Sequence, residues 1–229
     1  MKTCTSILIF SGFIFMAPQL KAQISIQPVI AINFSGIAGG PGYANFDHDY
    51  GWAGGGKAII PIGKKYFIDP GLIATTKSYK YHFTAPYTIN NLEIPALIYE
   101  HLIFGYIEAP VSIGRKFSSG LHTGAGVFFA WQLTQRRNEI INYTLDLNYI
   151  VTDVTTESFT REITGDKFQA GLSATLGYVK ANFDLVLTSQ YHLTPLMGFT
   201  TDDPDKLHFI NLSLSLAYQF TLAKRKPTL

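Results

Sequence analysis

The chain is poor in the residues that most often carry chemistry or solvate a surface. Among 229 residues there is one cysteine, Cys4. It precedes the first apolar run, so a chain processed after that run has no thiol for disulfides, thiolate catalysis or Cys-metal sites. Charged residues make up 15%, where globular chains carry about a quarter. Lys plus Arg (18) barely exceed Asp plus Glu (16), so no basic face is available and nucleic acid is excluded as a partner. After residue 23 no run of about 18 apolar residues occurs, which rules out a membrane helix in the mature chain. What is abundant leans toward β-structure: 17 Phe, 13 Tyr and 20 Gly.

The N-terminus reads as an address. Lys2 precedes an apolar run from Ile7 to Ala17, and Leu20-Lys21-Ala22-Gln23 supplies a small residue at the exit. A positive start, a short apolar core and a small-residue exit describe a secretory signal peptide, with cleavage expected at Ala22 or Gln23. Lys2 and Lys21 leave with it, so the mature chain has 16 basic and 16 acidic residues. The domain reading is residues 1–23 as signal peptide, 24–220 as one barrel and 221–229 as a C-terminal tail.

Period-two alternation dominates the mature chain. Ile24, Ile26, Ile30, Ile32 and Phe34 share one face, opposite Ser25, Gln27, Ala31, Asn33 and Ser35. Near the end, Ile210, Leu212, Leu214, Leu216, Tyr218 and Phe220 alternate with Asn211, Ser213, Ser215, Ala217 and Gln219. Six further strands are expected near residues 51–62, 65–79, 101–117, 120–134, 164–179 and 181–192. Their connections alternate between long loops (36–50, 80–100, 135–163, 193–206) and tight turns at Gly63-Lys64-Lys65, Ser118-Ser119-Gly120 and Lys180-Ala181-Asn182. This sorting predicts an all-β fold, an eight-stranded antiparallel up-and-down transmembrane β-barrel with both termini on the short-turn side.

The apolar face of each strand lacks charge along its centre. The opposite face is small and polar, with Gly124, Gly126, Gly171, Ser173, Thr175, Gly177, Ser213 and Ser215, as the crowded interior of a small barrel requires. Aromatic residues gather at two levels: Tyr66, Tyr178, Phe183, Tyr218 and Phe220 toward the short turns, and Phe34, Trp52, Trp131, Phe168 and Tyr191 toward the long loops. Two such girdles suit the two headgroup layers of a bilayer. Pro28, Pro61, Pro70 and Pro110 each remove a ladder donor, and bulges are expected beside them.

Tyr106-Ile107-Glu108-Ala109-Pro110, followed by Gly120 to Trp131 with Gly124-Ala125-Gly126, resembles the PorT-like outer-membrane β-barrel family of Bacteroidetes. Phe67-Ile68-Asp69-Pro70-Gly71-Leu72, Asp166 to Leu172 and Leu212 to Phe220 fit the same pattern, and the likeness spans residues 24–220. It implies an outer-membrane location and an envelope or secretion role. Asn91-Leu92-Glu93-Ile94-Pro95 is a second copy of the Pro motif. Either copy can mark the fourth strand, with the later one preferred.

Several groups of residues are candidates for function. Lys57, Asp69, Glu108, His122 and Asp184 share the inner face, where internal ion pairs are favoured over an ion path because eight strands leave little room. His101, His192 and Ser189 sit where an outer-membrane acyltransferase or deacylase would hold its catalytic groups, but no nucleophile motif surrounds Ser189. No catalytic, metal or cofactor residue is assigned. Asp202-Asp203-Pro204-Asp205 and Asp47-His48-Asp49 lack calcium-loop spacing, and Gly54-Gly55-Gly56 precedes no helix and so is no phosphate loop. Arg136-Arg137 faces the level of lipopolysaccharide phosphates, and Lys224-Arg225-Lys226 reads as a solvated tail. Expected partners are outer-membrane lipid, lipopolysaccharide and a protein bound at residues 135–163, where Ile141, Tyr143, Leu145, Leu147 and Tyr149 alternate as in a protruding hairpin. The leading function is a non-enzymatic barrel that binds a partner or serves an envelope complex. A lipid-modifying enzyme, a small pore and a soluble calycin-like ligand carrier are the alternatives.

Overall fold

The computed structural model describes residues 24–39, 45–89, 92–147, 150–162, 168–195 and 207–222. The expected signal peptide (1–23), the acidic run at 202–205 and the tail beyond residue 222 lie outside them. Ten strands follow in order: β1 (Ser25–Ala38), β2 (Asn45–Ile62), β3 (Tyr66–Ile89), β4 (Leu92–Lys116), β5 (Leu121–Leu147), β6 (Ile150–Glu162), β7 (Phe168–Lys180), β8 (Phe183–His192), β9 (His208–Tyr218) and β10 (Phe220–Thr221). No helix occurs among the described residues.

Eight of these strands form a ring. β1, β2, β3, β4, β5, β7, β8 and β9 pair antiparallel in turn. β1 closes onto β9 from Val29↔Ala217 to Ala38↔His208. β10 continues the seam past Gln219, pairing Ser25↔Thr221 and Ile26↔Phe220. Closure gives each strand of the wall two neighbours, which an open sheet in hydrocarbon could not supply. The chain is therefore an eight-stranded, antiparallel transmembrane β-barrel.

The amphipathicity is reversed relative to a water-soluble barrel. Ser25, Gln27, Asn33 and Ser35 are buried, while Ile30 (67% exposed), Ile32 (64%), Leu72 (62%) and Ile113 (58%) point outward. Tyr66, Tyr178, Phe183, Tyr218 and Phe220 lie on the outward face beside the short turns and the β9–β10 junction. Trp52, Trp131, Phe168 and Tyr191 lie on it toward the opposite end, and Phe168 stacks against Phe129 with ring centroids 6.1 Å apart. Three tight turns carry the left-handed residues they need: Gly63 (φ 66°), Gly120 (φ 89°) and Ala181 (φ 55°).

Strand lengths depart from expectation. Segments 80–89, 92–100 and 135–147 are strand rather than loop, as are 45–50 and 150–162. β5 has 27 residues, although about 9–11 suffice to cross a bilayer. The two copies of the Pro motif do not compete, because β4 contains both Pro95 and Pro110. Beyond the ring, β3 pairs β4 up to Ile89↔Leu92, β4 pairs β5 up to Ala96↔Tyr143, and β5 pairs β6 up to Leu147↔Ile150. A four-stranded meander thus rises from one side of the barrel. From Trp131 to Leu147 it runs about 50 Å along the strand, at about 3.3 Å per residue.

The prolines also find a different solution. The ladder bulges lie at His48/Ala53, Gly105/Tyr106 and Tyr143/Leu145, not beside the prolines. Instead each proline sits where a neighbour's pairing stops. The β2–β3 register passes from Lys57↔Gly71 to Ile60↔Ile68 around Pro70. The β3–β4 register passes from Pro70↔Val111 to Ile73↔Glu108 around Pro110. Pro28 faces the β9–β10 break, and Pro61 lies past the last β1–β2 pair, Ser25↔Ile59. A residue without an N–H costs little where no acceptor waits.

Leu72 lies between the two aromatic levels on the outward face. Replacing Leu72 with Lys is expected to destabilise the barrel by about 2–4 kcal/mol in lipid vesicles, as for a charge near the bilayer midplane. Urea unfolding of the vesicle-inserted protein measures it; an unchanged midpoint would contradict a lipid-facing Leu72.

Candidate functional site: a sealed lumen and an outward sheet

Because side chains alternate, the inner face is fixed by strand parity, and its charges arrive in layers. Nearest the short turns, His122 Nε2 contacts Asp184 Oδ1 at 2.8 Å, and Gln27 donates to Asp184 Oδ2 at 3.3 Å. Lys57 approaches Asp69 at 3.7 Å, and the Ser112 hydroxyl donates to the same carboxylate. Gly177 makes room for the His122 ring, since a Cβ there would lie 2.2 Å from Nε2.

A second layer lies higher and is more tightly joined. Lys77, fully buried, pairs with Glu108 at 2.6 Å and donates to Gln190 Oε1 at 3.2 Å and His192 Nε2 at 2.7 Å. Lys carries donors only, so His192 Nε2 accepts and its proton sits on Nδ1, which donates to Gln169 Oε1 at 2.6 Å. Gln190 donates to Glu108 Oε2 at 3.0 Å, and Asn211 donates to Gln190 Oε1 at 2.9 Å. The Lys77 ammonium also lies 5.1 Å from the Phe128 ring centroid, an attractive cation–π geometry. Between the two layers is a cavity of about 60 Å³ lined by Lys57, Thr75, Glu108, Ser173, Gln190 and Asn211. It has room for a few waters.

Above the second layer the lumen is filled with rings rather than with the small polar groups expected from the sequence. Tyr79, Phe104, Tyr106, Phe128 and Phe209 are all at most 2% exposed. Phe209 meets Tyr79, Phe104 and Tyr106 edge-on, with centroids 5.7, 5.2 and 6.4 Å away. Gly171 admits the Phe128 ring, where a Cβ would lie 2.4 Å from it. The plug seals the cavity on the long-loop side. Past it, Glu100 accepts hydrogen bonds from Tyr81 and Arg137, and Arg137 also meets Glu139 at 3.2 Å. Burial holds the Glu100 carboxyl above its ordinary range, reinforced by Glu139 and opposed by Tyr81 and Arg137.

All five inner-face residues singled out from the sequence line this lumen, in two pairs plus Glu108, whose ionic partner is Lys77. Lys77 and the lumen position of His192 escaped notice, although strand parity places Lys77 on the same face as Asp69. The other candidates disperse. His192 is inside, whereas His101 and Ser189 are on the outer face; His101 Nε2 lies 2.6 Å from Asp49 Oδ2, and Ser189 registers with Leu212. The wall separates them, so no Ser–His pair forms from these three. Asp49 also receives Lys80 at 3.2 Å. Partial burial raises its carboxyl, but hydrogen bonds from Ser78, the Tyr50 backbone and Lys80, with the charge of His101, bring it below the ordinary range. His48 stacks on Phe34 at 4.9 Å. No group of three or more His, Cys, Asp or Glu among the described residues is arranged to hold a metal. Arg136 and Arg137 split across the wall, as strand neighbours must, so they do not form a joint phosphate site.

No protein-family model matches the chain, and neither does any curated protein. Solved structures with a similar backbone include Ail, the attachment invasion locus protein of Yersinia pestis, in complex with the heparin analogue sucrose octasulfate. It shares 12% identity at a TM-score of 0.42, covering 86% of this chain and 99% of Ail. Neisserial surface protein A shares 12% at 0.37, covering 86% and 97%. The outer membrane protein OprG from Pseudomonas aeruginosa shares 8% at 0.29, covering 88% and 98%. At these values the likeness is confined to backbone outline, and function is read from this chain's own geometry.

Two outcomes test the lumen. Glu108→Gln leaves the buried Lys77 without its counter-charge and is expected to cost about 3–5 kcal/mol, whereas Lys77→Met combined with Glu108→Leu recovers most of that loss; urea unfolding of the four-member cycle reads both. In planar bilayers the parent barrel is expected to carry no steady current, and Phe209→Gly to open one. A steady current from the parent would contradict a sealed lumen.

Proposed function

We propose that the protein is a non-enzymatic outer-membrane barrel that holds a rigid extracellular sheet in place to bind a protein partner. The observation that carries this reading is the mismatch between β5, at 27 residues, and the span a bilayer requires. The excess is ordered strand, paired across β3, β4, β5 and β6. Ordering a residue's backbone costs about 1–2 kcal/mol, so an extended, paired sheet beyond the membrane is costly to maintain unless it presents a surface.

The membrane side rests on the outward apolar band, which water would leave exposed and lipid tails solvate. Residues 1–23 fit as the export signal, with cleavage near Ala22 or Gln23. Outer-membrane lipid is then the obligatory surrounding, and Arg136, exposed on the outer face, is the member of the arginine pair available to lipopolysaccharide. The PorT-like motifs agree with a role in an envelope or secretion complex. A sealed lumen argues against a small pore. The separation of Ser189, His101 and His192 argues against a lipid-modifying enzyme built on them. An outward apolar face argues against a soluble calycin-like carrier.

Tyr99 is exposed on β4 within the extension. A photo-crosslinking residue at position 99 is expected to yield a discrete protein adduct in whole cells, while the same residue at Leu72 yields lipid adducts alone. Deleting residues 138–160 should end the Tyr99 adduct and leave a heat-modifiable, membrane-inserted barrel. An adduct that survives the deletion would contradict a partner held by the hairpin.

A further inference from the structure

Among the described residues the extension has two edges with no strand beside them, and they are not equivalent. β5 changes partner along its length: Leu121 to Trp131 pair with β7, and Arg136 to Leu147 pair with β6. β6 pairs with β5 and with no other described strand. One whole side of its 13 residues therefore carries backbone N–H and C=O groups that no described strand accepts. On the opposite side, β2 accompanies β3 only as far as Asn45↔His82, which leaves Phe83 to Ile89 as a second edge of seven residues.

Natural sheets blunt edges with proline, bulges or short strands. The β3 edge is treated this way: it is short and interrupted by Pro86, opposite Pro95. The β6 edge is not. Ile150 to Glu162 contains neither Pro nor Gly, and it is rich in strand formers: Ile150, Val151, Thr152, Val154, Thr155, Thr156, Phe159 and Thr160. Its charges are Asp153, Glu157 and Glu162 against Arg161 alone, giving a net negative segment.

We propose that β6 is a strand-addition site that takes an extended, basic polypeptide segment of a partner protein as the next strand of the sheet. This deepens the partner-binding reading above and rests on it. The backbone geometry selects the occupant. Only another extended chain offers donors and acceptors repeating at the strand spacing of about 3.3 Å per residue, and main-chain bonds then supply affinity while side chains set preference. The acidic excess selects Lys or Arg in the incoming strand. A second copy of the chain in the same membrane is a poor occupant: a twofold axis along the membrane normal leaves two tilted β6 strands crossing rather than aligned.

The full-length barrel in lipid nanodiscs supplies the test, with an acetylated decapeptide that alternates Lys or Thr with Val as the probe. The peptide is expected to protect alternate amides of residues 150–162 from deuterium exchange. N-methylation of alternate peptide residues should weaken binding at least tenfold, and added salt should weaken the parent peptide's binding. Glu157→Pro and Ser158→Pro form an internal control, since neighbouring N–H groups point to opposite edges of a strand: one variant should lose peptide binding with β5–β6 exchange protection intact. Absence of binding, equal affinity for the N-methylated peptide, or protection outside β6 would overturn strand addition. If the Tyr99 adduct still depends on residues 138–160 in that case, partner binding stands and only its mode is wrong; if the adduct persists after the deletion, the partner-binding reading itself fails.

Discussion

In a hydrocarbon medium a peptide group has no water to bond. Each unsatisfied N–H or C=O costs several kcal/mol, so the wall of this protein is first of all a closed hydrogen-bond ladder. The seam between β1 and β9, extended by β10 past Gln219, is what gives the other six strands a place in a ring. Once the ladder is closed, side-chain parity assigns every residue of the wall to lipid or lumen. The apolar set takes the outside because tails solvate it, and the polar set must then satisfy itself within a narrow interior.

That second requirement shapes the lumen. Charges placed in a small barrel are desolvated and need partners, and here they find them across the barrel rather than along a strand. His122 on β5 meets Asp184 on β8, and Lys77 on β3 joins Glu108 on β4 to Gln190 and His192 on β8. The Lys77 contacts with Gln190 and His192 tie opposite walls together. Glycines at 171 and 177 let Phe128 and His122 occupy the interior. The combination of ion pairs below and stacked rings above makes the barrel a solid pedestal, which is what a projecting sheet needs as a base.

Much of the wall was legible in the alternation of residues, because lipid enforces a strict apolar-outward rule wherever a strand crosses it. The inner-face charges Lys57, Asp69, Glu108, His122 and Asp184 followed from the same parity. Legibility ended where that rule ends. Beyond Trp52 and Trp131 both faces of a strand can meet water, so residues 80–89, 92–100, 135–147 and 150–162 read as loops although they belong to β3, β4, β5 and β6. The aromatic plug was hidden for a related reason. Tyr79, Phe104 and Tyr106 look like lipid-facing residues by composition, and only the strand register turns them inward. The prolines misled locally, since a sequence shows the missing donor but not the lapse in the neighbouring ladder that makes it harmless.

The central claim is that lipid tails wet the outward face of a closed wall. The two tryptophans, Trp52 and Trp131, both lie on that face near one aromatic level, and both are more than half exposed. Fluorescence of the vesicle-inserted protein with brominated lipids measures this directly. The account predicts strong quenching by bromine near the headgroups and weaker quenching by bromine at the chain ends, whereas emission untouched by either, from a protein that stays dissolved without surfactant, would contradict it.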